Sequence, residues 1–107
     1  MDFHGNSKLN DNPHHLYEIR DKELDTVFKY GISADPIGKD GLSKRMRRQL
    51  SFLNLVAGWK RYTGHILIEN IPDRVQAWAL EDEHIETYRV IHSIRPRGNP
   101  EQTLPSV

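Results

Sequence analysis

The segment Arg74 to Ile91, RVQAWALEDEHIETYRVI, repeats apolar side chains at three- and four-residue intervals, which predicts a helix with one face packed on something else. At about 100° per residue, Ala77, Trp78, His84, Ile85 and Tyr88 all fall within roughly 60° of Glu81. One carboxylate therefore sits on the apolar side. Glu83 and Glu86 lie about 140–160° away by the same arithmetic, on the polar side where acids stay solvated. An ionised carboxylate on an apolar face is costly unless it is paired or bound to a cation. Glu81 thus calls for a partner, either an inward-facing Arg in a structural salt bridge or a cation that serves function.

With 107 residues, 36% of them hydrophobic and 28% charged, the chain is expected to form one small domain around one core. Lys+Arg and Asp+Glu balance at 15 each, so no basic field covers the whole domain and any basic patch must be local. The absence of cysteine excludes a disulfide framework, a Cys-based zinc site and a thiol nucleophile. The histidines show no spacing typical of a closed zinc site. Glu81 and His84 form an E-x-x-H pair, but helical di-iron sites need two such pairs and the chain has no second. No serine sits in a G-x-S-x-G elbow. No apolar run approaches the ~18 residues of a membrane span, and the N-terminal MDFHGNSKLNDNP lacks the apolar h-region of a signal peptide.

Residues 1–13 are polar and rich in Asn, Asp, Gly and Ser, and read as an arm or linker without a core of its own. The domain is expected over residues 14–100, with 101–107 as a tail. His14 to Arg20 is a short candidate strand and Thr26 to Ser33, TVFKYGIS, a second, joined as a hairpin through Asp21–Asp25. Ala34 to Gly41 is a loop by its Pro, Gly and Asp content. Leu42, Met46, Leu50, Leu53 and Ala57 predict a helix from Ser43 to Ala57 that Gly58 ends. Arg61 to Ile71 is a third strand, and Asp73 with Gln76 makes a capping-box-like start for the helix carrying Glu81. Arg95 to Val107, with its prolines, reads as coil. The order β-β-α-β-α predicts an α+β domain, a small three-stranded antiparallel sheet flanked by helices.

On the first helix Arg45 borders the apolar face, with Gln49 nearer to it, whereas Arg48, Lys44 and Arg47 lie progressively further round toward solvent. A planar, always-charged guanidinium at such a border suits bidentate contact with phosphate or carboxylate. For Lys44, Arg47 and Arg48 a solvated basic face is the simpler reading, with phosphate steering as the functional alternative.

LYEI at Leu16–Ile19, KYGIS at Lys29–Ser33, SKRM around Arg45, ALEDEHI with Glu81 and RPRGNP with Asn99 follow the order and approximate spacing of another group of proteins. From about His14 to Pro100 the chain resembles the GIY-YIG nuclease superfamily, the URI fold. It is most similar to the nuclease toxin domains at the C-termini of bacterial polymorphic (Rhs and contact-dependent) toxins. The resemblance implies catalytic roles for Tyr17, Lys29, Arg45, Glu81 and Asn99, substrate contacts at His15, Tyr30, Gly31, Arg48 and Gln49, and Glu81 as the metal ligand. Tyr17 takes the place of the first-motif tyrosine, as a general base or as a phenol orienting the attacking water, while His15 and Leu16 replace that motif's glycine and isoleucine. Lys29 stands for the second-motif tyrosine and Tyr30 for its isoleucine; an ammonium donates and attracts but does not act as a phenolate, so Lys29 reads as a phosphate stabiliser. Gln49 falls where many members have histidine.

The resemblance therefore implies a metal-dependent endonuclease using Mg²⁺ or Mn²⁺, acting on nucleic acid, DNA ahead of RNA. The domain would be a monomer that arrives as part of a larger toxin, works in the target-cell cytoplasm and is neutralised by a cognate immunity protein. A housekeeping or mobile-element GIY-YIG endonuclease and an inactive nucleic-acid-binding module are the alternatives.

Overall fold

A computed structural model describes residues 12–101; the greater part of the expected N-terminal arm, and the tail beyond Glu101, lie outside the described residues. The elements run β1 (His14–Asp21), β2 (Thr26–Ser33), α1 (Lys44–Ala57), β3 (Tyr62–Ile71) and α2 (Arg74–His92). The strands form one antiparallel sheet in the order β2-β1-β3. This is the expected α+β architecture, with each element's limits within a residue or so of those read from the sequence.

The central strand decides how the helices lie. Successive side chains of a strand point to opposite faces, and in β1 both faces are buried over His14–Tyr17. Tyr17 and Ile19 pack with Met46 and Leu50 of α1, flanked by Phe28, Leu42, Leu53, Tyr62 and Ile66. Leu16 packs with Ile71 and with Ala77 of α2, flanked by Ile32, Ile68 and Leu80. The two helices thus cover opposite faces of the sheet. Ser43 caps α1, its hydroxyl accepting from the Met46 N–H, and Gly58 ends the helix in the left-handed conformation. Asp73 caps α2 by accepting from the Gln76 N–H at 2.8 Å.

A buried carboxylate closes the far end of the sheet. Asp21, fully buried, accepts from the backbone N–H of Glu23 at 2.9 Å and so shapes the β1–β2 turn. It also accepts from Arg61 Nε at 2.9 Å and Nη2 at 2.8 Å, and from Arg97. The Arg61 hydrogen bond, with Arg97 beside it, holds the Asp21 carboxyl well below the usual carboxylate range against the opposing effect of burial.

Arg97 in turn anchors a segment that the sequence presents only as coil. Its guanidinium lies 5.2 Å from the centre of the Phe28 ring. The Gly98 N–H donates to the Phe28 carbonyl at 2.7 Å, and the Asn99 side chain accepts from the Tyr30 N–H at 2.7 Å and donates to the Tyr30 carbonyl at 3.0 Å. Arg95–Asn99 therefore pairs with the outer edge of β2, where an uncovered strand would recruit other chains. Only glycine fits at 98, because a Cβ there would lie 2.5 Å from the Lys29 Cβ.

Asp21→Asn is expected to lower unfolding stability at neutral pH by about 3 kcal/mol. The low end of the range applies because Arg61 and Arg97, at 21% and 39% side-chain exposure, can rehydrate. Since the folded-state pKa of Asp21 is depressed, its stabilisation is full above the unfolded value of about 3.9 and is lost as pH falls toward the folded value. Urea melts of both proteins should converge as pH drops below about 4; a constant gap down to strongly acid pH would contradict the assignment.

Candidate active site

The site begins with Tyr17, a wholly buried residue in the middle of β1. Its partner across β2 is Gly31. A Cβ at Gly31 would lie 2.5 Å from both the Cζ and the hydroxyl oxygen of Tyr17, so the phenol lies directly across the glycine backbone. The hydroxyl donates to Gln49 Oε1 at 2.9 Å. Burial pushes the Tyr17 phenol up, Arg45 and the Gln49 hydrogen bond pull it down, and Glu81 adds to the rise. In the resting protein the group is a protonated phenol and a hydrogen-bond donor.

Three charged groups surround it. Lys29 is two residues from Gly31 and shares its face, across from Ile19. Burial lowers the Lys29 pKa and Arg45 lowers it further, while Glu81 raises it. Glu81 of α2 is partly buried; burial raises its pKa, Asp82 adds to the rise, and Lys29 and Arg45 oppose it. Arg45 stands in the first turn of α1, where its backbone N–H donates to Asp35 Oδ2 at 3.0 Å, and its side chain acts on all three of the other groups. Tyr17, Lys29, Arg45 and Glu81 thus come from β1, β2, α1 and α2 and share one electrostatic neighbourhood at the β2 edge of the sheet. Among the described residues Glu81 closes no ion pair.

The other expected site residues separate from this cluster. Asn99 lines the same groove as Glu81, but its amide is engaged by the backbone of Tyr30, which makes it a clasp on the strand edge. His15 is 3% exposed, with Nε2 3.1 Å from Ser43 Oγ. Burial lowers its pKa. It steadies the N-terminus of α1. Tyr30 turns to the other face, where its ring meets His84 edge-on at 5.4 Å and lines a separate cavity of about 550 Å³ with Arg20, Tyr88 and His92. Arg48 is exposed on α1. Arg47 lies on the exposed face as expected, where it donates to Asp40 Oδ1 at 3.0 Å and to the Leu42 carbonyl at 2.8 Å. Sequence reasoning missed the Asp21–Arg61–Arg97 clasp and the half-exposed Trp78 that lines the Glu81 groove. Only the basic character of RPRG hinted at the former.

A divalent ion would find a sparse donor set. No group of three or more His, Asp or Glu residues suited to a metal occurs among the described residues, and His84, with Nδ1 2.8 Å from the Leu80 carbonyl, packs on Tyr30. One desolvated carboxylate beside open space fits a hard ion that keeps most of its waters and shares a substrate oxygen, the habit of Mg²⁺.

Gly31→Ala tests the Tyr17 arrangement, because the methyl group must displace the phenol. The variant is expected to be destabilised by about 1–3 kcal/mol, as for overpacking, and to shift the ultraviolet absorbance titration of Tyr17. An unchanged melting midpoint would contradict the close approach.

No helix among the described residues is long and apolar enough to cross a membrane. No curated protein and no solved structure matches the chain significantly. The family model of URI fold toxin 2 matches residues 7–92, which takes in β1 through α2 with Tyr17, Lys29, Arg45 and Glu81. A match over most of the chain settles its kinship: this is a member of the URI fold toxin 2 family.

Proposed function

We propose that this toxin domain is a metal-dependent nuclease that hydrolyses phosphodiester bonds, DNA ahead of RNA, in the cytoplasm of a target cell, and that a cognate immunity protein neutralises it. The observation that carries the reading is the convergence of a phenol, two cations and a desolvated carboxylate from four separate elements. A phosphodiester transition state gathers negative charge on its non-bridging and leaving oxygens, so positioned cations give the largest stabilisation. Lys29 and Arg45 supply two. The phenol of Tyr17, held by its donation to Gln49, orients the attacking water or serves as its general base. Glu81 would hold Mg²⁺ or Mn²⁺, which when bound provides Lewis-acid stabilisation and a more acidic water. Asn99 acts at one remove by holding the β2 backbone beside Lys29.

Purified protein incubated with plasmid DNA and total RNA is expected to cleave in millimolar Mg²⁺ or Mn²⁺ and to lose activity in EDTA, the ion having a single protein carboxylate. Undiminished cleavage in EDTA would remove the mechanism. Lys29→Met keeps the aliphatic stem and loses the charge; its rate should fall roughly 10²–10³-fold, as on deleting an oxyanion donor.

Glu81→Gln should abolish most cleavage and toxicity without loss of stability, because the folded carboxyl already resists ionisation. A raised folded-state pKa means that ionisation destabilises the native protein above that pKa, so the glutamine variant should be the more stable at neutral pH. Its advantage should vanish below about pH 4, where the carboxyl is protonated in both states. Glu83→Gln, on the exposed side, should change stability by no more than about 0.5 kcal/mol and leave cleavage intact. A Glu81→Gln protein that is destabilised yet active in proportion to its folded fraction would retire the metal-site reading.

A further inference from the structure

Trp78 belongs by helical spacing to the inner stripe of α2, yet it is 50% exposed while Ala77 and Ile85 beside it are buried. Together with Glu81, Asp82, Arg95, Asn99 and Glu101 it lines a groove of about 760 Å³. Arg74, one turn earlier, sits 5.7 Å from the centre of the indole ring and so restrains the side chain from one side by a cation–π contact. The opposite flank is rigid too, since Arg95 Nε donates to the Asn99 carbonyl at 2.8 Å and Asn99 is clasped to β2. A large aromatic surface is thus held in water at the wall of a preformed groove, one helical turn from the proposed reaction centre.

The charge of that groove selects what enters it. Its described lining carries the carboxylates of Glu81, Asp82 and Glu101 against the single cation of Arg95, so a phosphate is better received by Lys29 and Arg45 next door. A flat, uncharged group with N–H donors on its rim meets both features of the groove, stacking on the indole and donating to the carboxylates. A nucleobase is such a group. Side chains three apart on a helix have Cβ atoms about 5–6 Å apart, a span that one nucleotide can bridge from a phosphate near Glu81 to a base on Trp78.

We propose that Trp78 is a base-stacking platform and that its groove is a nucleotide subsite for an unpaired base next to the phosphodiester being cut. The proposal rests on the nuclease reading and narrows its substrate to strands with an accessible base face. In a duplex both faces of each base are covered by its neighbours and must be unstacked first, whereas a single strand offers them to aromatic side chains directly.

The test compares single-stranded and duplex oligonucleotides of matched sequence, as DNA and as RNA, cleaved by the full chain in Mg²⁺ or Mn²⁺. Wild type is expected to favour the single strands. Trp78→Ala should raise KM on them about ten-fold or more, the scale of one lost stacking contact, with a smaller change in kcat and little change in melting temperature. Trp78→Phe should recover most of the affinity. A second readout needs no cleavage. In a Trp59→Phe, Glu81→Gln protein, Trp78 is the remaining one of the chain's 2 tryptophans, and its fluorescence should be quenched as a single-stranded oligonucleotide binds. A folded Trp78→Ala protein with wild-type KM, or unchanged fluorescence at saturating oligonucleotide, would overturn the proposal. Quenching without cleavage by wild type would leave the subsite standing and sink the nuclease reading, and cleavage without any effect at Trp78 would do the reverse.

Discussion

Everything at the β2 edge depends on one buried charge. Asp21 is fully buried and gathers a turn backbone, Arg61 from the start of β3 and Arg97 from beyond α2. A lone carboxylate could not remain ionised there, and Asp21 is the partner the two guanidiniums share. The pairing converts a long-range constraint into local order. With Arg97 held, Gly98 and Asn99 reach the backbone of Phe28 and Tyr30, and the wall of the Glu81 groove exists. Its contribution to function goes through the geometry of that wall.

The sheet places its chemistry where its two faces can meet. Tyr17, Gly31 and Lys29 look toward the α1 side, while Glu81 rides on a helix packed against the other. Only at an edge strand can side chains from opposite faces converge without crossing the sheet, and β2 is the edge nearest α2's acidic turn. The missing side chain at Gly31 serves the same end, allowing a central-strand tyrosine to lie over the neighbouring strand. An edge used in this way still needs protection from pairing with other chains, and the short Arg95–Asn99 segment provides it without a full strand.

Much of this was legible in residue periodicity. The stretches with clean patterns, TVFKYGIS and the two amphipathic helices with Ser43, Asp73 and Gly58 at their ends, have the limits expected of them. Helical geometry alone separated the partly buried Glu81 from the exposed Glu83. It failed where partners are remote or where facing is ambiguous. Asp21 meets Arg61 and Arg97 across 40 and 76 residues, and no local pattern encodes that. Strand alternation correctly put Tyr17 with His15, and Lys29 with Gly31, but could not say that His15 would be sealed under the cap of α1 or that Tyr30 would turn to the α2 side. Trp78 fell within the inner stripe by angle, yet it stands half in water while Ala77 beside it is buried on the sheet.

Lys29 and Glu81 are each held against their charged forms, and this bears on what Tyr17 can do. Burial works against the phenolate, the ammonium and the carboxylate together, and Arg45 further crowds the positive charge of Lys29. Such a set relaxes when an anion settles between the two cations, because their mutual repulsion is then screened by a shared partner. The same anion does the opposite to Tyr17. A bound phosphate placed beside the phenol opposes a second negative charge there, so anion binding alone makes the phenolate harder to form. For Tyr17 to serve as base, positive charge beyond Arg45 must arrive with the substrate, and the carboxylate able to bring it is Glu81. Without that charge, the group that already donates to Gln49 remains a donor. Under the proposed reaction, the chemical role of the tyrosine is thus decided at Glu81, on another element and from the other face of the sheet.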